Sequence, residues 1–102
     1  MNKRREMLEA MLAKGSKDPF VRYARALELR GEGLLEEALG AFAELREQHP
    51  EYVPTFLMAG QVALALERRD QAREWLAAGI EVATAARDEH ARSELQSALD
   101  AL

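Results

Sequence analysis

The sequence predicts an all-α chain of antiparallel helical hairpins, and three observations carry that prediction. Alanine and leucine dominate an apolar fraction of 48%, with three prolines and few β-branched residues, a composition that favours helix throughout. Small and large apolar residues recur 34 positions apart: Ala26 and Gly60, Ala38 and Ala72, Phe42 and Leu76. The connections between helical segments are short, which forces consecutive helices to be antiparallel neighbours.

The elements follow in order. Residues 2–14 form a first helix, with Met7, Leu8, Met11 and Leu12 on one stripe and Lys14-Gly15 as its stop. Asp18-Pro19 opens a second, because aspartate caps free amides and proline suits the first helical position. It runs to about Arg30 and is ended by Gly31 and Gly33. A third helix begins near Leu35, turns Ala38, Leu39, Phe42 and Leu45 inward, and stops ahead of Pro50. The fourth covers Val53 to Glu67, and the fifth starts near Asp70 and shows Ala72, Leu76, Gly79, Ile80 and Ala83. After Arg87-Asp88 a sixth places Ala91, Leu95, Ala98, Leu99 and Leu102 at helical spacing.

The 34-residue period is one of residue size, not of letters. Aligning 19–52 on 53–86 gives three identities: Ala38/Ala72, Ala43/Ala77 and Glu47/Glu81. The spacing also extends backwards, with Leu8 lying 34 before Phe42 and Met11 34 before Leu45. The first helix therefore resembles the second half of a repeat. The sixth resembles the first half of another, shifted by about one residue. These residues alone allow either a superhelical array or a plain six-helix bundle.

Ala38-x3-Phe42 with Pro50 after it, and Phe56-x2-Ala59-Gly60-x2-Ala63 with Ala72-x3-Leu76 after it, resemble the tetratricopeptide repeat pattern. The resemblance spans almost the whole chain: repeats at 19–52 and 53–86, a capping helix at 2–14 and another at 88–102. The second unit matches well in its first helix, apart from Ala63 where the family has tyrosine. The first unit departs there, with Arg22 and Arg25 in place of large apolar residues and Ala26 for the glycine. The resemblance implies a right-handed α-α superhelix in which Gly60 lies at a close helix crossing.

In that family the first helix of each hairpin lines a concave face that holds a peptide or a partner's helix. Carried onto this sequence, the groove comprises Phe20, Tyr23, Leu27 and Arg30 of the second helix and Leu57, Met58, Gln61 and Leu64 of the fourth. Ala24 and, on the sixth helix, Glu89, Arg92, Ser93 and Gln96 are expected to join them. Phe56 to Leu66 contains a single polar side chain, Gln61, so the fourth helix is apolar all round and expects burial on every side. Three ways of covering it stay open. A peptide or helix of another protein lies on the groove, two copies bury their grooves in a homodimer, or the short array closes on itself. Family members that grip a terminal carboxylate use lysine and asparagine on this face, and none stands at these positions.

Composition narrows the function further. There is no cysteine, which removes disulfides and thiolate metal sites and fits a reducing compartment. The net charge of −4 divides as +4 over residues 1–30, −5 over 31–60 and −3 over 61–102. A nucleic-acid binder would be basic overall or carry a continuous basic stripe. No apolar run reaches the roughly 18 residues of a membrane span, and the N-terminus lacks the apolar core of a signal peptide. A cytoplasmic protein without membrane, nucleic-acid or small-molecule partners is expected.

No chemistry is expected either. His49 and His90 stand in no metal-binding spacing, and the former suits a helix C-terminus. Ser16, Ser93 and Ser97 lack a nucleophile context, and the glycines form no phosphate-cradling run. Glu36-Glu37 and Asp88-Glu89 open helices, where carboxylates offset the positive end of the dipole. Lys3-Arg4-Arg5 reads as a solvated face, and Trp75 as packing beside Leu76. The expectation is a non-enzymatic chain with no cofactor and no metal.

Overall fold

Capping chemistry sets where the helices begin. The computed structural model describes residues 2–102. It comprises α1 (Lys3–Ala13), α2 (Pro19–Gly31), α3 (Leu35–Gln48), α4 (Pro54–Ala65), α5 (Arg69–Ala85) and α6 (Glu89–Asp100). The side chains of Asn2, Asp18 and Asp88 accept hydrogen bonds from the amides of Arg5, Phe20 and Ala91, each at 3.0 Å. Pro19 and Pro54 supply the preset φ at the start of α2 and α4. The fourth helix is slightly shorter than the sequence suggested, because Leu66 caps it and Glu67 turns left-handed.

Four turns close in the same way. Gly15, Gly33, Glu67 and Arg87 have φ of 91°, 81°, 60° and 57°. In each case the next amide reaches back over the last helical turn, Ser16 to Met11, Leu34 to Leu29, Arg68 to Ala63 and Asp88 to Ala83, at 2.9–3.1 Å. This is the Schellman closure, and glycine at two of the four sites removes the Cβ penalty. α3 ends differently, on His49 before Pro50, and its amide donates to Leu45 at 2.7 Å.

The helices pair as α2–α3 and α4–α5 hairpins, with α1 packed on α2 and α6 on α5; α4 also touches α2, α3 and α6. One core runs through both hairpins, from Ala26, Leu29, Ala38 and Phe42 to Phe56, Ala63, Leu76 and Leu95. The 34-residue equivalents lie at matching depths: Ala38 and Ala72 are fully buried, as are Phe42 and Leu76 to within 3%. α1 is held by a separate small cluster of Leu8, Val21 and Ala24.

Two glycines permit the closest approaches. A Cβ on Gly60 would stand 2.7 Å from Leu76 Cδ2, and one on Gly79 would stand 2.5 Å from Phe56 Cβ. Gly60 therefore lies at the crossing the sequence predicted, and Gly79 marks a tighter one between α4, α5 and α6. Trp75 packs its ring 5.9 Å from that of Phe56, and the Arg46 guanidinium lies over both rings at 4.9 and 5.3 Å. Arg46 also forks onto Glu74 at 2.8 and 2.9 Å, tying α3 to α5. No helix among the described residues is long and apolar enough to cross a membrane.

Candidate binding groove

α4 lies between α2 and α6, and residues of the three helices line a cleft of about 270 Å³. Tyr23 comes from α2, Val53, Pro54, Leu57 and Met58 from the start of α4, and Asp88, His90, Ala91, Glu94 and Leu95 from α6 and its cap. The floor is apolar and the α6 rim is acidic. The His90 Nε2 lies 3.2 Å from Glu94 on that rim.

Tyr23 is the fixed point of the site. Its ring stands 6.2 Å from Phe42, 5.8 Å from Tyr52 and 6.4 Å from Phe20, so it is held by aromatic neighbours on three sides. Burial raises the pKa of its hydroxyl, and the same cause acts on Tyr52. Both phenols stay neutral and can donate a hydrogen bond. Arg30 reaches across to α4, with its Nη1 3.2 Å from the Met58 sulfur.

Of the residues expected in the groove, Tyr23, Leu57 and Met58 meet in the cleft. Phe20 is 52% exposed and stands against Tyr23, and Leu64 is 42% exposed, two turns beyond Leu57 on α4 and outside the cleft lining. Arg30 and Gln61 are exposed, and Leu27 is half-buried against the main core. Ala24 is not in the groove: it is buried beside Leu8 of α1.

The expected α6 set needs correcting as well. Glu89, Arg92, Ser93 and Gln96 do not line the cleft; Glu89 pairs with Arg92, and Gln96 donates to Asp100 at 2.9 Å. The cause is the phase of α6, whose inward stripe of buried Leu95 and half-buried Ala91 and Ala98 packs on the main core. His90 and Glu94 stand one residue before Ala91 and Leu95, so they border the groove. That stripe was visible in the sequence, and the unshifted 34-residue register carries Tyr23 and Leu57 onto Ala91, and Leu27 and Gln61 onto Leu95, both in the cleft; the one-residue shift expected for the sixth helix displaced the set. Val53 and Pro54 carried no sequence signal of their own.

A network of ion pairs on α1 and α2 lies away from the cleft. Arg5 bonds Glu32 at 2.6 Å through Nε and Glu9 at 3.2 Å, and Arg25 bonds Glu9 at 3.0 Å. Arg25 holds the Glu9 carboxyl below its ordinary pKa, and Arg5 does the same to Glu32. Arg5 is thus part of a network joining α1 to α2, not merely a solvated charge. Arg22, unusual for its repeat position, extends to Glu44 at 3.6 Å. A wider hollow of about 690 Å³ beside Asn2, Arg5 and Glu32 is open to solvent, and its Arg5 and Glu32 side chains already satisfy each other. Among the described residues no group of three or more His, Cys, Asp or Glu side chains could hold a metal ion.

Known structures share this fold. A solution structure of a tetratricopeptide repeat domain protein from Salinibacter ruber superposes with a TM-score of 0.77 at 41% identity, over 80% of this chain and 83% of that one. The chain belongs to the tetratricopeptide repeat family. A crystal structure of a tetratricopeptide repeat domain protein from the same organism gives 0.75 at 41% identity, over 80% and 91% of the two chains. A protein from Bordetella parapertussis, at 25% identity, shares the repeat fold over 98% of this chain and 87% of its own, with a TM-score of 0.83. No family model matches the chain, and no curated protein does. Repeat modules of this kind generally serve protein–protein interaction.

Proposed function

We propose that this tetratricopeptide repeat protein is a cytoplasmic, non-catalytic interaction module. It holds a peptide or helix of another protein on the face formed by α2, α4 and α6. One observation carries the reading: an apolar cleft of about 270 Å³ opens between Tyr23, Leu57 and Met58, with exposed Phe20 beside Tyr23 and exposed Leu64 two turns beyond Leu57 on α4. Small-molecule and cofactor pockets run from about 300 to 1,000 Å³ and bury most of their ligand. A cleft just below that range suits one apolar anchor side chain better than a whole cofactor. Exposed apolar residues clustered around such a cleft are the usual mark of a protein contact. The acidic rim of Asp88 and Glu94 favours a cation beside the anchor.

The test uses Phe20→Glu and Leu64→Glu, two exposed positions where a charge leaves the core undisturbed. Proteins captured from the native lysate by the parent should be lost by both variants, with affinity for a purified partner falling at least roughly tenfold. Light scattering separates the other occupant, a second copy. The parent is expected at the 11.4 kDa of one chain. A dimer that Leu64→Glu dissociates would replace the partner by the protein itself. Unchanged capture by both variants would move the site elsewhere.

A further inference from the structure

The repeat register exposes a second surface, at the opposite end from α6. Steps of 34 residues align Met7 with Ala41 and Trp75, and Met11 with Leu45 and Gly79. In the two complete hairpins these positions are closed, at 5% and 7% exposure for Ala41 and Trp75 and 0% for Leu45. Met7 and Met11 are instead 61% and 42% exposed. On α5 the equivalent positions are closed chiefly by Phe56 of α4, which packs on Trp75 and whose Cβ is the atom nearest to any side chain added at Gly79, with Arg46 over Trp75 and Leu95 beside Gly79.

The side of α1 that faces α2 is taken. Leu8 is buried against Val21 and Ala24, and Arg5 and Glu9 face Arg25 and Glu32. The unpartnered face carries Lys3, Met7, Met11 and Lys14, all exposed, at the three- and four-residue spacing of one helix side, with Glu6, Ala10 and Ala13 exposed beside them. Lys3, Lys14 and the nearby Lys17 appear in no ion pair among the described residues, where most of the arginines do. Two exposed methionines between unpaired lysines ask for a partner that is apolar in the middle and acidic at its edges.

We propose that α1 receives a helix from another polypeptide, which stands against it as α4 stands against α5. That helix is amphipathic, sets one large apolar side chain between Met7 and Met11, keeps small residues one turn away, and carries acids facing Lys3 and Lys14. The far end of the array differs: the outer side of α6 pairs Glu89 with Arg92 and Gln96 with Asp100, a polar cap that asks for nothing. Among the described residues the outer side of α6 is polar, whereas that of α1 carries two exposed methionines.

The four methionines provide the readout, since Met7 and Met11 mark α1 and Met58 marks the cleft. The probe is a hydrocarbon-stapled helical peptide with phenylalanine and alanines at the spacing of Phe56, Ala59, Gly60 and Ala63, and glutamates on its flanks. Titrated into methyl-labelled protein, it should move the Met7 and Met11 signals saturably and leave Met58 in place. Met7→Glu and Met11→Glu, at exposed sites, should each weaken binding at least roughly tenfold. Lys3→Glu with Lys14→Glu should weaken it severalfold and flatten its salt dependence.

No movement of Met7 and Met11 at ~1 mM helical peptide overturns the proposal. So does movement of Met58 alone, which would assign the peptide to the α2–α4–α6 cleft. A lysine-flanked peptide binding equally well removes the acidic partner. A dimer of the protein alone that Met7→Glu dissociates makes the occupant a second copy. Met7-dependent binding to phosphatidylserine vesicles, with no saturable peptide binding, makes it an anionic lipid surface.

Discussion

Replacing Gly79 by alanine adds one methyl group at the tightest point between α4, α5 and α6. The new Cβ would lie 2.5 Å from Phe56 Cβ, 3.1 Å from Phe56 Cγ and 2.9 Å from Leu95 Cδ2, where ordinary contacts run from 3.4 to 4 Å. The Phe56 Cβ is bonded to the backbone and cannot swing away, so α4 itself must shift. Overpacking of this kind costs about 1–3 kcal/mol, and the backbone-borne clash puts it near the upper end. Alanine's better helix propensity returns about 1 kcal/mol. The net expectation is a loss of about 2 kcal/mol, or a fall in Tm of roughly 8–16 °C for a domain of this size.

Two further glycines make this a comparison and not a single number. At Gly60 the clash is with Leu76 Cδ2 and Cγ at 2.7 and 2.9 Å, the end of a side chain that can rotate, so Gly60→Ala should be neutral to within about 1 kcal/mol. Gly40 is exposed in the middle of α3 with nothing within 4 Å, so Gly40→Ala should stabilise by about 1 kcal/mol. Thermal and urea unfolding followed by circular dichroism rank the three. Any order other than Gly40→Ala above Gly60→Ala above Gly79→Ala refutes the crossing geometry, and a stabilised Gly79→Ala refutes it outright.

Thr55 is fully buried in the first turn of α4, its hydroxyl has no hydrogen-bond partner, and Val21 occupies the place 34 residues earlier. Thr55→Val should therefore raise stability by about 1 kcal/mol in urea unfolding, and a loss would reveal a partner for the hydroxyl. Arg46 combines the ring contacts with Phe56 and Trp75 and the fork onto Glu74, so Arg46→Ala should cost about 1–2 kcal/mol. Arg46→Lys keeps the charge but not the planar fork; full recovery of the Tm by lysine would show that charge alone holds α3 to α5.

Helix number, order and pairing were legible because each rests on local chemistry: Asp18-Pro19, Gly33 and Pro50 punctuate, and Ala38, Phe42, Ala72 and Leu76 set the phase. The crossings were legible in part. Gly60 sat within a run of small residues, whereas Gly79 read only as one inward position among several, since nothing local says how near Phe56 will come. The cross-helix pairs were not legible. Arg5 with Glu32 and Arg46 with Glu74 join residues 27 and 28 apart, and every such arginine reads locally as a solvated charge. The same holds for Arg22 and Arg25, which look like defects of the repeat until Glu44 and Glu9 are placed beside them.

The groove was the hardest part to read, and α4 explains why. An amphipathic helix announces its solvent side by a polar stripe, but Phe56 to Leu66 carries only Gln61. The pattern is therefore silent about which side the neighbours leave open, and geometry alone separates half-buried Leu57 and Met58 from exposed Leu64. Mutations on the two sides of that division should behave differently. Leu57 and Met58 pack on the main core as well as lining the cleft, so a charge at Leu57 should lower stability together with binding. Leu64 and Phe20 present apolar surface without supporting the core. A charge at either of them should weaken binding while leaving the Tm within about 2 °C of the parent, as surface substitutions away from the core do. A large fall in Tm for Phe20→Glu or Leu64→Glu would show that these side chains hold the fold together, and the groove would then be closed over them.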